Sequence, residues 1–333
     1  MMKRIAILLT IMIVMTLTGC ASGDTLHLSV DNRGKPTIGI AWNNVRSYSF
    51  ESTVAAANEL DANIVELPMA HSYDLSYDAE DKLTDSADPV GYLSADAAKL
   101  VKRNTWQNSD VEDVLKDVDA VIFPGGSDIS PTLYYEEQPW HGIEAERDYC
   151  AERDVSDYML MSYCLEHDIP TLGICRGMQM LSVVSGATVV QDVGTWFAEQ
   201  GIEYHDMHRD PEKKDLVPHD VEIVAKDSLL FSIFGQTQLT GCPSWHHQIV
   251  GDVSGTRLTV TAQTMTDGLP VIEAVERRDK TFCMGVQFHP EVAVRKHLDH
   301  AENEADFMDY DTAMKCLRAL EDAAISDTAA AAA

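Results

Sequence analysis

Apolar and polar positions along this chain repeat with two different periods, and the places where the period changes mark its elements. PTIGIAW (36–42) is an apolar run of strand length. SFESTVAAANELDA (49–62) spaces its apolar residues as a helix does, and NIVELPM (63–69) reads as strand again. This βαβ beginning favours a parallel sheet. Residues 70–110 break the pattern: they are polar and rich in Asp, Ser and Tyr, with one helical stretch at SADAAKLVKR, and read as an insertion or long loop. The pattern resumes in VEDVLKDVDAVIFPGGSDI, where a helix gives way to a strand ending on paired glycines. A helix over RDVSDYMLMSYCLEHD, the strand IPTLGI and a helix over RGMQMLSVVSGA follow. The later segments HDVEIVA, RLTVTAQT, PVIEAVE and TFCMGVQFH are strand-like, and ADFMDYDTAMKCLRALEDAAI predicts an amphipathic C-terminal helix. There is no internal repeat. One α/β domain over 35–322 is expected, with the insertion near 70–110 inside it.

The two ends fall outside that pattern. Lys3 and Arg4 precede an apolar run from Ile5 to Leu17, then Thr18-Gly19-Cys20. A basic start, a short apolar stretch and a small residue before cysteine read as a signal peptide over 1–19. The run is shorter than the ~20 residues that a spanning helix needs. LTGC looks like the lipobox of bacterial lipoproteins, which implies cleavage before Cys20, lipidation of its sulfur and an exported protein held to the membrane by lipid alone. A polar linker (20–34) follows the signal, and the tail at 323–333 reads as disordered.

Charge narrows the class of partner. The 54 acidic side chains outnumber the 25 basic ones, and no Lys/Arg stripe interrupts them, so nucleic acid is excluded as a partner. The chain has seven cysteines. With Cys20 and Cys175 set aside, Cys150, Cys164, Cys242, Cys283 and Cys316 are an odd set without CxxC or Cys/His spacing for zinc. Buried free thiols are expected, because Cys164 and Cys283 lie in apolar segments.

The candidate chemistry centres on LGICRGMQ. Gly173 and Gly177 flank Cys175 at a strand-to-helix junction, the turn that lifts a nucleophile out of a sheet. A sulfur at a helix N-terminus is in the partial positive charge that favours thiolate. A cysteine nucleophile needs a base, and the base an orienter. In GVQFHPEV an extended segment puts His289 and Glu291, two residues apart, on one side. In VIFPGGSDI the backbone N–H of Gly125 or Gly126 is placed at a strand end to hold an oxyanion, with the N–H of Arg176 as its partner.

These three pieces together resemble the class I glutamine amidotransferase-like superfamily and, within it, γ-glutamyl hydrolases of the γ-glutamyl-γ-aminobutyrate hydrolase type. The segments FPGGSDISPTLYYEE, TLGICRGMQMLSVVSGATVVQDV, SWHHQIV, DGLPVIEAVE and GVQFHPEV carry the resemblance, over roughly residues 36–320. It implies a three-layer α/β/α flavodoxin-like fold with a mostly parallel central sheet. It also implies a Cys175–His289–Glu291 triad, an oxyanion hole at Gly125, Gly126 and Arg176, and a glutamyl pocket lined by Gln179, Ser244, His246, His247 and Gln248. No metal or organic cofactor is implied, and the partner is a small γ-glutamyl substrate, with a homodimer compatible with the fold. Pro243, Thr195-Trp196 and the long insertion depart from the pattern and leave the released amine open. A glutaminase that feeds ammonia to a synthetase shares the triad. An exported binding protein that does not turn over is the non-enzymatic alternative.

Overall fold

The computed structural model describes residues 34–136, 138–205, 208–210 and 216–331. The signal at 1–19, Cys20 and the linker up to residue 33 lie outside the described residues. In chain order the elements are β1 (Thr37–Ile40), α1 (Tyr48–Ala57), β2 (Asn63–Glu66), α2 (Ala95–Asn104), α3 (Val111–Val114) and β3 (Ala120–Phe123). Then come α4 (Ala151–His167), β4 (Thr171–Ile174), α5 (Arg176–Val184), β5 (Val189–Val190), α6 (Val193–Glu199) and β6 (Val217–Ile223). The rest are α7 (Leu229–Phe234), β7 (Gln238–Ser244), β8 (Ile249–Val250), β9 (Leu258–Thr266), β10 (Leu269–Arg277), β11 (Cys283–Val286), α8 (Pro290–Leu298) and α9 (Tyr310–Ala331).

The main sheet runs β2-β1-β3-β4-β11-β10-β9-β6-β7. Its first five strands are parallel, as the βαβ pattern predicts, and the last four extend it antiparallel. Strands β3, β4 and β11 are buried throughout, as continuous apolar runs must be when helices cover both faces. One face carries α1, α7, α8 and α9 over a core that includes Ile38, Ile122, Phe288 and Leu317. The other carries α2 to α5 over Phe123, Met159, Met178 and Leu181. The result is the three-layer α/β/α arrangement expected from the sequence.

Helix starts follow side-chain chemistry. Ser47 accepts from the Phe50 N–H at 3.2 Å to open α1, and Ser94 accepts from the Ala97 N–H at 3.3 Å to open α2. The long stretch at 70–110 is fastened to the domain rather than free. The Leu83 N–H donates to Glu152 at 3.0 Å, the Leu93 N–H donates to the Ser130 hydroxyl at 2.9 Å, and Leu83, Leu93 and Val101 enter the core. One expectation is corrected: the tail at 323–333 is helical as far as Ala331, as a continuation of α9, and Ala324 is buried. An alanine-rich end has high helix propensity once a packed amphipathic segment has nucleated it.

Candidate active site

Three neighbouring parallel strands, β3, β4 and β11, deliver the candidate groups from their C-terminal ends, the side of such a sheet where ligands collect. β4 ends at Cys175, whose φ of 51° and ψ of −105° put a non-glycine residue where L side chains are strained, at a cost of about 1–3 kcal/mol. Two backbone bonds hold it there: the Cys175 N–H donates to Val286 at 2.7 Å, and its carbonyl accepts from the Gln179 N–H at 3.1 Å. The flanking glycines serve close packing of helix on sheet. A β-carbon at Gly173 would stand 2.5 Å from the Gly177 carbonyl carbon, and one at Gly177 would stand 2.1 Å from the Phe123 carbonyl oxygen. The G-x-C-x-G spacing therefore lets helix α5 lie directly on β4 and β3.

β11 continues through Gln287 and Phe288 to His289. Here the local reading is corrected: His289 and Glu291 do not lie on an extended segment. His289 is the N-cap of α8, Pro290 is its first residue, and Glu291 is in the first turn. Proline at that position gives up an N–H that the helix does not use. The pair still meets, with His289 Nδ1 2.7 Å from Glu291 Oε1. A carboxylate only accepts, so Nδ1 carries the proton and Nε2 is left for chemistry. Ser49 donates to the same carboxylate oxygen at 3.0 Å. Burial opposes charge on the His289 ring, but Glu291 and Cys175 hold its pKa well above the ordinary imidazole value. Gln287 Nε2 donates to Cys175 Sγ at 3.3 Å. The Gly125 α-carbon faces both side chains: a β-carbon there would lie 2.8 Å from His289 Cε1 and 3.5 Å from Cys175 Cβ.

β3 runs into Pro124, Gly125 and Gly126. Arg153, buried beneath this turn, donates to the Pro124 carbonyl at 2.8 Å and the Gly125 carbonyl at 3.0 Å. In a trans peptide the N–H points opposite to the carbonyl. The N–H groups of Gly125 and Gly126 are thereby turned away from Arg153. Gly126 has φ of +151°, and a β-carbon on it would meet Arg153 Nη1 at 1.9 Å, so only glycine fits. The Arg176 side chain is buried too, donating to Asp154 at 2.6 Å and to Asp157. Its guanidinium thus faces away from the sulfur and anchors the start of α5, which leaves its backbone N–H as the group contributed next to Cys175.

Cys175 lines two cavities at once. One, of about 180 Å³, also touches Asp128, Glu146, Gln179, Arg209 and His247. The other, of about 610 Å³, also touches Asn43, Tyr48, Ser49, Trp245, His289 and Lys296. In the small cavity His247 Nε2 is 3.2 Å from Asp128 Oδ1. Against burial, the Asp128 and Asp192 carboxylates raise the His247 pKa to about 10. Gln179 Nε2 donates to the Gln248 carbonyl at 3.2 Å and to the Gln287 amide oxygen at 3.3 Å. Gln248 donates to the Gln191 carbonyl at 3.2 Å. Ser244 lines neither cavity: it is fully buried and its hydroxyl donates to the His208 carbonyl at 2.8 Å, so it supports the pocket wall from behind. His246 edges the small cavity but aims its Nε2 at Glu273, 3.8 Å away.

Several residues of the site have no motif to reveal them. Gln287 stands inside GVQFHPEV, but its contact with sulfur depends on the pairing of β11 with β4. Asp128 stands inside VIFPGGSDI without a role assigned by that motif, and Ser49, Glu146 and Arg209 come from three other loops or helix ends that no spacing rule links to it.

This fold and constellation define a glutamine amidotransferase-like hydrolase. A family model described as Peptidase C26 matches residues 94–291, and the chain belongs to that family. It is 36% identical over 190 residues to protein NtpR of Enterococcus hirae, a match covering 57% of this chain and 71% of that one. It is 32% identical over 185 residues to the gamma-glutamyl-gamma-aminobutyrate hydrolase PuuD of Escherichia coli (strain K12), covering 54% of this chain and 67% of that one. A solved structure, that of a glutamine amidotransferase from Thermotoga maritima, aligns at a TM-score of 0.43 and 17% identity over 89% of this chain and 96% of that one.

Proposed function

We propose that this protein hydrolyses γ-glutamyl amide bonds through a thioester on Cys175. The observation that carries the reading is the position of Cys175 at the meeting of a small, charged cavity and a larger one, beside a buried His289–Glu291 pair. The Cys175 thiolate attacks the γ-carbonyl carbon and forms the C–S bond. The N–H groups of Gly126 and Arg176, with Gly125 beside them, hold the resulting oxyanion. His289 passes its proton to the departing amine as the C–N bond breaks. Water enters, gives a proton to His289 and attacks the thioester, and glutamate leaves as the thiolate is restored. Glu291 keeps the ring in the required tautomer throughout.

The two cavities support the division of the substrate. In the small cavity Arg209 donates to Glu146 at 3.0 Å and protonated His247 faces Asp128, and these pairs present both signs of charge to the α-ammonium and carboxylate of a glutamyl group. The cavity of about 610 Å³ has room for an amine larger than ammonia, which favours hydrolysis of γ-glutamyl amines over the delivery of ammonia. The amine released from PuuD's named substrate, γ-aminobutyrate, is of that class. Purified protein incubated with a panel of γ-glutamyl amines is expected to release glutamate from at least one of them, and the Cys175→Ala variant from none. Release from none by the reduced wild type contradicts the reading. Export and lipid attachment at Cys20 are proposed from the sequence alone, and a native protein whose mass still includes residues 1–19 would refute them.

A further inference from the structure

Behind the wall of the small cavity, three imidazoles and one carboxyl group converge from separate parts of the chain. His219 comes from β6, Glu273 from β10, His246 from the loop after β7, and His208 from the loop before β6. All four side chains are nine-tenths or more buried. His208 Nδ1 lies 3.3 Å from Glu273 Oε1, His219 Nε2 lies 3.6 Å from Glu273 Oε2, and His246 Nε2 lies 3.8 Å from Glu273 Oε1. None of these contacts is a formed hydrogen bond: His208 Nδ1, His219 Nε2, His246 Nε2 and both Glu273 oxygens have no hydrogen-bond partner among the described residues.

The outward-facing atoms of two of the rings are engaged. His208 Nε2 is 2.8 Å from the Thr266 hydroxyl, and His246 Nδ1 is 3.0 Å from the Gln248 carbonyl. A carbonyl only accepts, so His246 carries its proton on Nδ1 and turns a lone pair toward Glu273. Such outer contacts are what fix a metal-ligating imidazole. An inward set of buried, unsatisfied acceptors is the arrangement that a cation completes. Ligands about 2.1 Å from a tetrahedral zinc ion stand about 3.4 Å from one another, close to the 3.3 and 3.6 Å that separate His208 and His219 from Glu273.

We propose that His208, His219 and Glu273, whose ligand atoms all lie within 4.8 Å of one another, bind one divalent transition-metal ion of the zinc class, with His246 beside Glu273. The ion is structural. The Glu273 carbonyl accepts from the Gln287 N–H at 2.8 Å, and the His208 carbonyl accepts from Ser244 at 2.8 Å and from the His246 N–H at 3.1 Å. It therefore ties the loop of Trp245 to His247 to the strand that leads to Gln287 and His289. No zinc signature is visible in the sequence because the ligands are dispersed over separate segments. An outer cleft of about 630 Å³ lies beside His219, whose two ring nitrogens are buried.

The test uses the full chain with Cys175→Ser, which removes the reactive thiolate as a competing ligand. The protein is stripped with a chelator, titrated with zinc chloride, and assayed for bound zinc and for Tm. One zinc per chain and a Tm higher by several degrees are expected. Adding Glu273→Gln or His219→Ala should abolish both, with circular dichroism reporting whether each variant is folded. Cobalt in place of zinc should show ligand-field bands without a thiolate charge-transfer band, a readout that needs no ligand variant. His247→Ala should keep the ion, which separates this cluster from the grouping of Glu146, Asp192 and His247. No retained zinc and no change in Tm, zinc that persists in folded Glu273→Gln and His219→Ala proteins, or zinc lost with His247→Ala would each overturn the proposal.

Discussion

Glu291→Gln keeps a side chain long enough to reach His289 Nδ1 but removes the charge that the buried ring leans on. Burial works against the imidazolium, and Glu291 and Cys175 outweigh it, so the His289 pKa lies well above its usual value. A raised pKa means that the folded site favours the protonated ring. That preference is full below the ordinary imidazole range and is lost as pH rises through the raised value. The alkaline limb of the rate profile should therefore lie above the ordinary imidazole range in the wild type and move to lower pH in Glu291→Gln, with kcat down about 10²–10⁴-fold. A limb that stays in place, measured as kcat/KM against pH, would separate Glu291 from the ring's protonation. At this scale the candidate nucleophile, base and orienter, Cys175, His289 and Glu291, were legible as motif residues, although the spacing of His289 and Glu291 comes from a helix start and not from an extended segment. Ser49 and Gln287 were not, because their contacts with Glu291 and Cys175 arise from the packing of α1 against α8 and the pairing of β11 with β4.

Elements position the site through their ends, and the glycines at those ends carry the tightest constraints. Gly125→Ala would place a methyl group 2.8 Å from both His289 Cε1 and Ser49 Oγ. Both neighbours are side chains, so the fold should survive while the ring is displaced. The expected outcome is a fall in kcat of about 10²-fold or more with an unchanged circular dichroism spectrum. Gly177→Ala differs, because its methyl group would meet the Phe123 carbonyl at 2.1 Å. Helix α5 must then move off the sheet, and stability should fall by about 2 kcal/mol or more, read as a shift in the urea midpoint. The regular elements were legible where an apolar run or a helical spacing persisted, as in β1, β3, β4, α4 and α5. β7 escaped because Gly241 and Pro243 interrupt QLTGCPS. α8 escaped because a nine-residue helix starts at Pro290, directly after a strand-like run, so His289 and Glu291 read as extended. The charged lining of the small cavity escaped because Asp128, Glu146 and Arg209 meet only after the chain has folded.

The whole domain depends on its last helix. Met314, Cys316, Leu317 and Leu320 of α9 are fully buried against the same core as Ile38 and Ile122. Leu317→Ala should cost about 2–5 kcal/mol, measured by denaturant unfolding, and a loss below about 1 kcal/mol would show that α9 only rests on the surface. The three-layer plan was legible from the βαβ beginning and the parallel-type apolar runs. The antiparallel extension was visible only as a β-rich second half, because alternation marks strands without giving their order. The 70–110 stretch read as a loop because its order comes from hydrogen bonds to Glu152 and Ser130, partners remote in sequence. The account as a whole turns on a covalent bond at Cys175. Its most direct test is the intact mass of the protein quenched with acid during turnover of a γ-glutamyl amide. The account predicts a fraction of chains heavier by one glutamyl group, mapped to the peptide containing Cys175 and absent from Cys175→Ala. Turnover with no glutamyl adduct at any quench time, or an adduct on another residue, would contradict it.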